Sequence, residues 1–127
     1  MEYVCCENFG IGKVQGFEKI GSNSFLVIEL LNKSKIKVPE NSGKLRTLLS
    51  YDQIMDLKKN HTPYKACFSN WNQLSKHFSK KMNSTQFTDL LDVVSFFENK
   101  EKLTFEEKKM LKKAKEMIDT EINLSIR

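Results

Sequence analysis

The sequence predicts an α+β fold, a small, strongly bent β barrel followed by an all-α helical domain. Three observations predict it. Residues 1–49 carry short runs rich in β-branched and aromatic residues. From Ser50 onward the apolar residues recur at helical spacing. A break near residues 48–52 separates the two periods, so the expected domains are 1–49 and 50–127.

In the first half, KVQGFEKI (13–20), SFLVIELL (24–31) and SKIKVPE (34–40) read as strands. Gly21-Ser22-Asn23 and Asn32-Lys33 are hairpin-type breaks between them. In SKIKVPE, Ile36 and Val38 face one way and Lys35 and Lys37 the other. Gly10 and Gly12 predict a tight backbone before the first of these strands. About fifty residues bury little surface, so this unit is marginal by itself.

In the second half, Ser50 is placed to cap a helix whose apolar face is Tyr51, Ile54 and Met55. Pro63 falls in the polar break NHTPYK. Trp71, Leu74, Phe78 and Met82 form one stripe; Phe87, Leu90, Leu91, Val94 and Phe97 form another. Thr104 and Glu107 form a capping box ahead of the last helix. Its apolar face runs through Met110, Leu111, Ala114, Met117, Ile118 and Ile122.

The 127 residues are 39% hydrophobic and 29% charged, as in a soluble globular protein. A net charge of +5 suggests a polyanionic partner, with plain solvated lysine faces as the alternative. The N-terminus has no basic leader or long apolar run, which predicts a cytoplasmic protein with no membrane partner. Cys5, Cys6 and Cys67 are odd in number and need not pair in a reducing compartment.

No Gly-rich phosphate loop, CxxC or HExxH is present. His61 and His77 are sixteen apart, on different elements, and Cys5 and Cys6 point to opposite faces of a strand. No nucleophile–base pair and no metal-ligand spacing is readable, so neither an enzyme nor a cofactor is expected.

Trp71 is the only tryptophan, and it lies in the stretch between Asp56 and Asp89, which holds no acid. Lys58, Lys59, Lys65, Lys76, Lys80 and Lys81 lie in that stretch and lack local carboxylate partners. They are expected to leave the unneutralised positive surface that phosphate binding needs. On the last helix, Lys108, Lys112 and Lys115 form one row and Lys109 and Lys113 a second; a solvated face is the competing reading. Trp71 has two readings as well. It could head an ordinary core stripe, as most tryptophans do. Alternatively, it is an exposed wedge at a helix start that presses on an unstacked base step in the minor groove, with lysines holding the flanking phosphates.

Several stretches together resemble the CarD/CdnL family of bacterial RNA polymerase-binding transcription regulators. LTFEEKKMLKKAKEMIDTEI (103–122) is similar to the family's Leu-Ser-x-x-Glu-Lys-x-Met-Leu-x-x-Ala helix. SNW (69–71), KIKVPENSGKLRTLLS (35–50) and FGIGKV (9–14) follow the family's order and spacing. The resemblance implies a Tudor-like (SH3-like) barrel that binds the RNA polymerase β subunit, here through Lys19, Lys35, Ile36 and Lys37. It implies a helical domain that touches promoter DNA at the upstream edge of the transcription bubble. Trp71 matches the minor-groove wedge, Lys76 and Lys108 match basic DNA contacts, and Lys113 a further one. Gln73 and Leu74 stand where many members carry two basic residues, so backbone grip is expected either to be weaker or to shift to Lys80 and Lys81. The expected protein is a monomeric regulator that stabilises the open complex and joins the nucleoid through the polymerase. The rivals are a protein-interaction module without DNA contact and a free nucleic-acid binder.

Overall fold

The computed structural model describes residues 2–41 and 43–125. The chain divides into two compact units, Met1–Leu48 and Leu49–Arg127.

The first unit is one antiparallel sheet of β1 (Tyr3–Cys6), β2 (Gly10–Ile20), β3 (Asn23–Leu30), β4 (Lys35–Pro39) and β5 (Leu45–Thr47), in the order β4-β3-β2-β1-β5. The three expected strands are present. β2 starts at Gly10 rather than Lys13, and the short β1 and β5 extend the sheet on its far side. Gly10 and Gly12 therefore lie inside a strand, not before one. Gly10 has a φ of 81°, which glycine adopts without steric cost as the chain leaves the β1–β2 turn. Gly12 is needed for closeness: a Cβ there would lie 2.4 Å from Ile28 Cγ2.

Register makes the core. Leu26 pairs with Val38 and Ile28 with Ile36, so all four point to one face. Val4, Cys6, Ile28, Leu30 and Val38 are buried there, with Ile36 and Leu26 packed against them. Lys35 and Lys37 pair with Glu29 and Val27 on the opposite face. The alternation read in SKIKVPE is thus the alternation observed. A register shift at Val14–Gly16 is a bulge, which bends β2 and increases its twist.

The second unit holds α1 (Tyr51–Asn60), α2 (Trp71–Met82), α3 (Phe87–Glu98) and α4 (Phe105–Ser125). Ser50 and Gln53 form a capping box at α1. At α4, Glu107 N–H donates to Thr104 Oγ1 and Thr104 N–H to Glu107 Oε1, as the sequence predicts. Each cap satisfies otherwise orphaned amides and stabilises its helix by about 1 kcal/mol. The core joins Ile54 of α1, Leu74, Phe78 and Met82 of α2, the α3 stripe, and Ala114 and Ile118 of α4. Phe78 lies at its centre, 4.7 Å from the Phe96 ring and 5.2 Å from the Phe97 ring. Val93 is fully buried beside the expected stripe, and Tyr51 is exposed, so α1 buries only Ile54 completely. Residues 61–70 form no helix; Tyr64 N–H in this segment donates to Ser95 Oγ at 3.0 Å.

Candidate functional site

The start of α2 is built from Ser69, Asn70 and Gln73. Asn70 is extended (φ −159°, ψ 173°), and its Oδ1 accepts from Gln73 N–H at 3.0 Å. Gln73 Oε1 accepts from Ser69 N–H at 3.1 Å. The first turn holds no acidic residue. Gln73 is therefore committed to capping, and Leu74 to the core, where it is buried. That explains physically why neither position carries a basic residue here.

Trp71 stands on this start with 41% of its surface exposed. Leu74, Phe78 and Met82, on the same stripe, are buried. The reading of Trp71 as ordinary core fails, because the stripe runs off the end of the bundle one turn before the indole. The ring is open to solvent on a capped helix start, and the positive end of the helix dipole lies beneath it.

The lysines of α2 divide. Lys76 and Lys80 are exposed and, among the described residues, form no ion pair. Lys81 corrects the expectation that this stretch lacks carboxylate partners. Its Nζ lies 2.9 Å from Asp92 Oδ2 and 3.4 Å from Asp89 Oδ1 on α3, with only 17% of the side chain exposed. It also stands over the Tyr64 ring at 4.5 Å. Burial opposes the charge, but the hydrogen bond and charge of Asp92, joined by Asp89, outweigh it and hold the ammonium above its ordinary range. The carboxylates that neutralise Lys81 come from the next helix, eight and eleven residues on, so acid-free sequence did not mean acid-free surroundings.

This network extends further. His61 Nε2 lies 2.6 Å from Asp92 Oδ1, and Ser84 Oγ donates to Asp89 Oδ2 at 2.6 Å. Tyr64 Oη lies 2.6 Å from His77 Nε2. Asp92 thus ties the end of α1 to α2 and α3. Both histidines serve the packing of the bundle, and the described residues contain no cluster able to hold a metal ion.

On α4, Lys108 and Lys113 are five residues apart, about 140° around the helix, so they occupy opposite flanks. Lys113 lines a groove with Ser79 of α2 and Asn83, the residue that caps its end, and is brought together with that helix. Lys108 lies on the flank of Lys115, whose Nζ lies 3.9 Å from Glu98. The sequence places Lys109, the groove's other cation, in one row with Lys113, but sequence reasoning missed Phe105, which is 67% exposed with Lys109 Nζ 4.6 Å from its ring centroid. A signal existed for Phe105, since it falls opposite the apolar face of its helix.

On the sheet, Lys35 and Lys37 are exposed on β4, which is an edge strand. Lys37 Nζ lies 2.9 Å from Glu18 Oε2 on β2. Ile36 points to the inner face and is half-buried. Lys19 pairs with Ser24, which places it on the Leu26 face of the sheet, opposite to Lys37. The structure therefore groups Lys35 with Lys37 and separates them from Lys19.

The chain thus joins a five-stranded sheet with a basic edge to a helical unit that presents an exposed indole. Residues 2–51 match the CarD-like/TRCF RID domain, which is Tudor-like, and residues 54–126 match the CarD C-terminal domain. The chain belongs to the CarD family, and the expected α+β fold class holds. It is thereby an RNA polymerase-interacting transcription regulator, and the domains of this family are non-enzymatic modules. No individual curated protein matches the chain. No helix among the described residues is long and apolar enough to cross a membrane.

Proposed function

We propose that the N-terminal unit binds the polymerase β subunit and that the helical unit contacts promoter DNA at the upstream edge of the bubble, stabilising the open complex. The exposure of Trp71 carries this reading. An indole left out of an otherwise buried stripe, at a helix start without acids, suits insertion against a distorted base step. Lys76, Lys80, Lys108 and Lys113 hold flanking phosphates. Lys81 instead fixes α2 to α3 through Asp92 and so holds the base on which Trp71 stands. Polymerase contact runs along the β4 edge through Lys35, Ile36 and Lys37, with Lys19 meeting a separate part of the partner.

The indole gains contact only when the strands are parted or bent, so it favours the open state over the closed one. A ring contact of about 1–3 kcal/mol, taken from base–aromatic stacking, shifts the open/closed ratio by roughly five- to a hundredfold. The test is Trp71→Ala. Open-complex lifetime should fall by that order while polymerase is still retained; an unchanged lifetime with polymerase bound sinks the wedge. Lys37→Glu should release polymerase with or without DNA.

A further inference from the structure

We infer that Glu121 and Ser125, at the end of α4, are positioning residues that clamp Leu49 and so set the length of the tether through which the helical unit reaches DNA. The inference rests on the proposed function, and it concerns residues to which that reading gives no contact with DNA or polymerase.

Among the described residues two charged side chains are buried, Glu107 and Glu121. Glu107 caps the start of α4. Glu121, 1% exposed, lies near the other end of the same helix. A carboxylate is costly to bury unless it is hydrogen-bonded. Its Oε2 accepts from Leu49 N–H at 2.9 Å, across 72 positions of sequence. One turn on, Ser125 Oγ lies 2.7 Å from Leu49 O and 2.6 Å from Glu121 O, so its one proton is shared between two carbonyls. The Leu49 side chain packs against the helical core. Leu49 is thus held at its amide, its carbonyl and its side chain.

The backbone beyond it is fixed as well. Ser50 N–H donates to Gln53 Oε1 at 2.9 Å, and Ser50 O accepts from Ile54 N–H at 3.0 Å. Every backbone polar group from Leu49 N–H to Ser50 O therefore has a partner inside the helical unit. On the other side, β5 ends at Thr47, which pairs with Val4 of β1. Leu48 alone lies between the last paired residue of the sheet and the first clamped residue of the helical unit. An amide just ahead of a helix cap can be satisfied by water. A buried carboxylate committed to it instead fixes the point at which the helical unit begins.

The clamp controls tether length. Without it Leu49 joins Leu48, and Ser50 follows if its cap frays, so the tether grows from one residue to two or three. Effective concentration falls roughly as the −3/2 power of tether length, so the helical unit would meet DNA about three- to fivefold more dilute. An effect of this kind exists only while the protein is docked, which separates it from damage to the helical unit itself.

The test compares tethered and untethered action of the full-length protein. Glu121→Leu removes the acceptor and keeps the site apolar, whereas Glu121→Gln keeps an acceptor for the Leu49 amide. Hydrogen exchange should show the Leu49 amide deprotected about tenfold or more in Glu121→Leu but not in Glu121→Gln, with α2 and α3 amides unchanged. The gain in open-complex lifetime that the protein gives polymerase should fall by up to about three- to fivefold in Glu121→Leu, and Glu121→Gln should keep most of it. Affinity for forked promoter DNA without polymerase, read by fluorescence anisotropy at low salt, should not change, nor should retention on polymerase. Ser125→Ala, a milder release, should give the same pattern at smaller size. Inserting Gly-Ser-Gly-Ser between Thr47 and Leu48 should shorten the lifetime at least as much with the clamp intact. Adding Glu121→Leu to that insertion should then cost less than about a further twofold. Should Glu121→Leu fail to fold, Ser125→Ala and the insertion decide by the same criteria. If Glu121→Leu weakens untethered DNA binding as much as it shortens the lifetime, Glu121 is a core residue only and the clamp is overturned, while the proposed function stands. If the Leu49 amide is deprotected and the lifetime gain is kept, tether length is irrelevant and the inference fails. If wild type gives polymerase no gain in lifetime, the proposed function and the inference fall together.

Discussion

Asp92→Ala tests whether the helical unit depends on one carboxylate to hold α2 in place. Asp92 accepts from Lys81 at 2.9 Å and lies 2.6 Å from His61, with 19% of its side chain exposed. Its removal strands an ammonium that is 17% exposed, leaving only Asp89 at 3.4 Å. Breaking a buried ion pair from one side costs about 3–5 kcal/mol. Asp89 remains and some water reaches the site, so a loss of about 2–3 kcal/mol is expected here. Lys81→Met removes the charge that needs compensation and should cost less than Asp92→Ala. In the double mutant the two losses should fall short of additivity by about 1 kcal/mol or more, the mark of direct coupling. Urea unfolding followed by Trp71 fluorescence reads this directly, because the only tryptophan lies in the unit concerned. The pH dependence has a definite sign. Lys81 is held above its ordinary 10.5, so its contribution is complete below that value and is lost as pH rises through the folded pKa. Wild type should lose stability relative to Lys81→Met as pH climbs past about 10.5. An Asp92→Ala loss below about 0.5 kcal/mol, or strict additivity with Lys81→Met, refutes the account.

Glu107, held by Thr104 and Lys100, gives the opposite pH behaviour. Burial pushes its carboxyl up, but the bonds from Lys100 and Thr104 outweigh burial and hold it below the ordinary 4.5. Its contribution is therefore present above 4.5 and lost as pH falls through the folded value; Glu107→Gln should cost about 1–2 kcal/mol at neutral pH and flatten the acid limb of a stability–pH curve. Gly12→Ala must move Ile28, whose Cγ2 would lie 2.4 Å from the new methyl, and should destabilise the sheet by about 2–3 kcal/mol, seen as lost hydrogen-exchange protection of β2 and β3 amides. Cys67 is exposed, whereas Cys5 and Cys6 are buried and burial with the neighbouring Cys5 pushes the Cys6 thiol up to about 11. Ellman's reagent should therefore titrate one thiol rapidly in native protein and three in denaturant.

Elements governed by local rules were legible. The Ser50 and Thr104 caps, the hairpin at Gly21 and the alternation in β4 depend on residues within four positions of one another, and they stand as read. β5 was not legible, because Leu45–Thr47 is three residues long and exists only through pairing with β1, some forty positions away. The expectation that the lysine stretch lacks carboxylate partners failed at the same boundary. Lys81 looks like Lys76 and Lys80 in sequence, yet it is neutralised by α3, and only packing reveals this. Trp71 erred the other way. Its place on the stripe argued for burial, but a stripe does not show where the bundle ends. The Ser79–Lys113 groove joins helices more than twenty positions apart, and no spacing rule announces it.

Under the proposed function, tethering is how a chain of net charge +5 would act on DNA. On that proposal four exposed lysines, Lys76, Lys80, Lys108 and Lys113, would neutralise about four phosphates, which gives a salt slope near −3.6. Such a grip, with Kd about 0.1 mM at physiological salt, leaves free protein at micromolar concentration nearly unbound. Docked through its sheet as proposed, the helical unit would face DNA at about 1 mM effective concentration, and its occupancy would rise to roughly 90%. Doubling the salt weakens the intrinsic grip about twelvefold, so tethered occupancy should drop to just under half. The ratio of open-complex lifetimes with and without the protein, measured at each salt concentration, should fall steeply over that doubling. Normalising to polymerase alone removes the salt sensitivity of the promoter complex itself. A ratio that stays flat while the protein remains polymerase-bound would mean that the lysines carry none of the effect. The stabilisation would then have to come from the polymerase contact, with the DNA untouched.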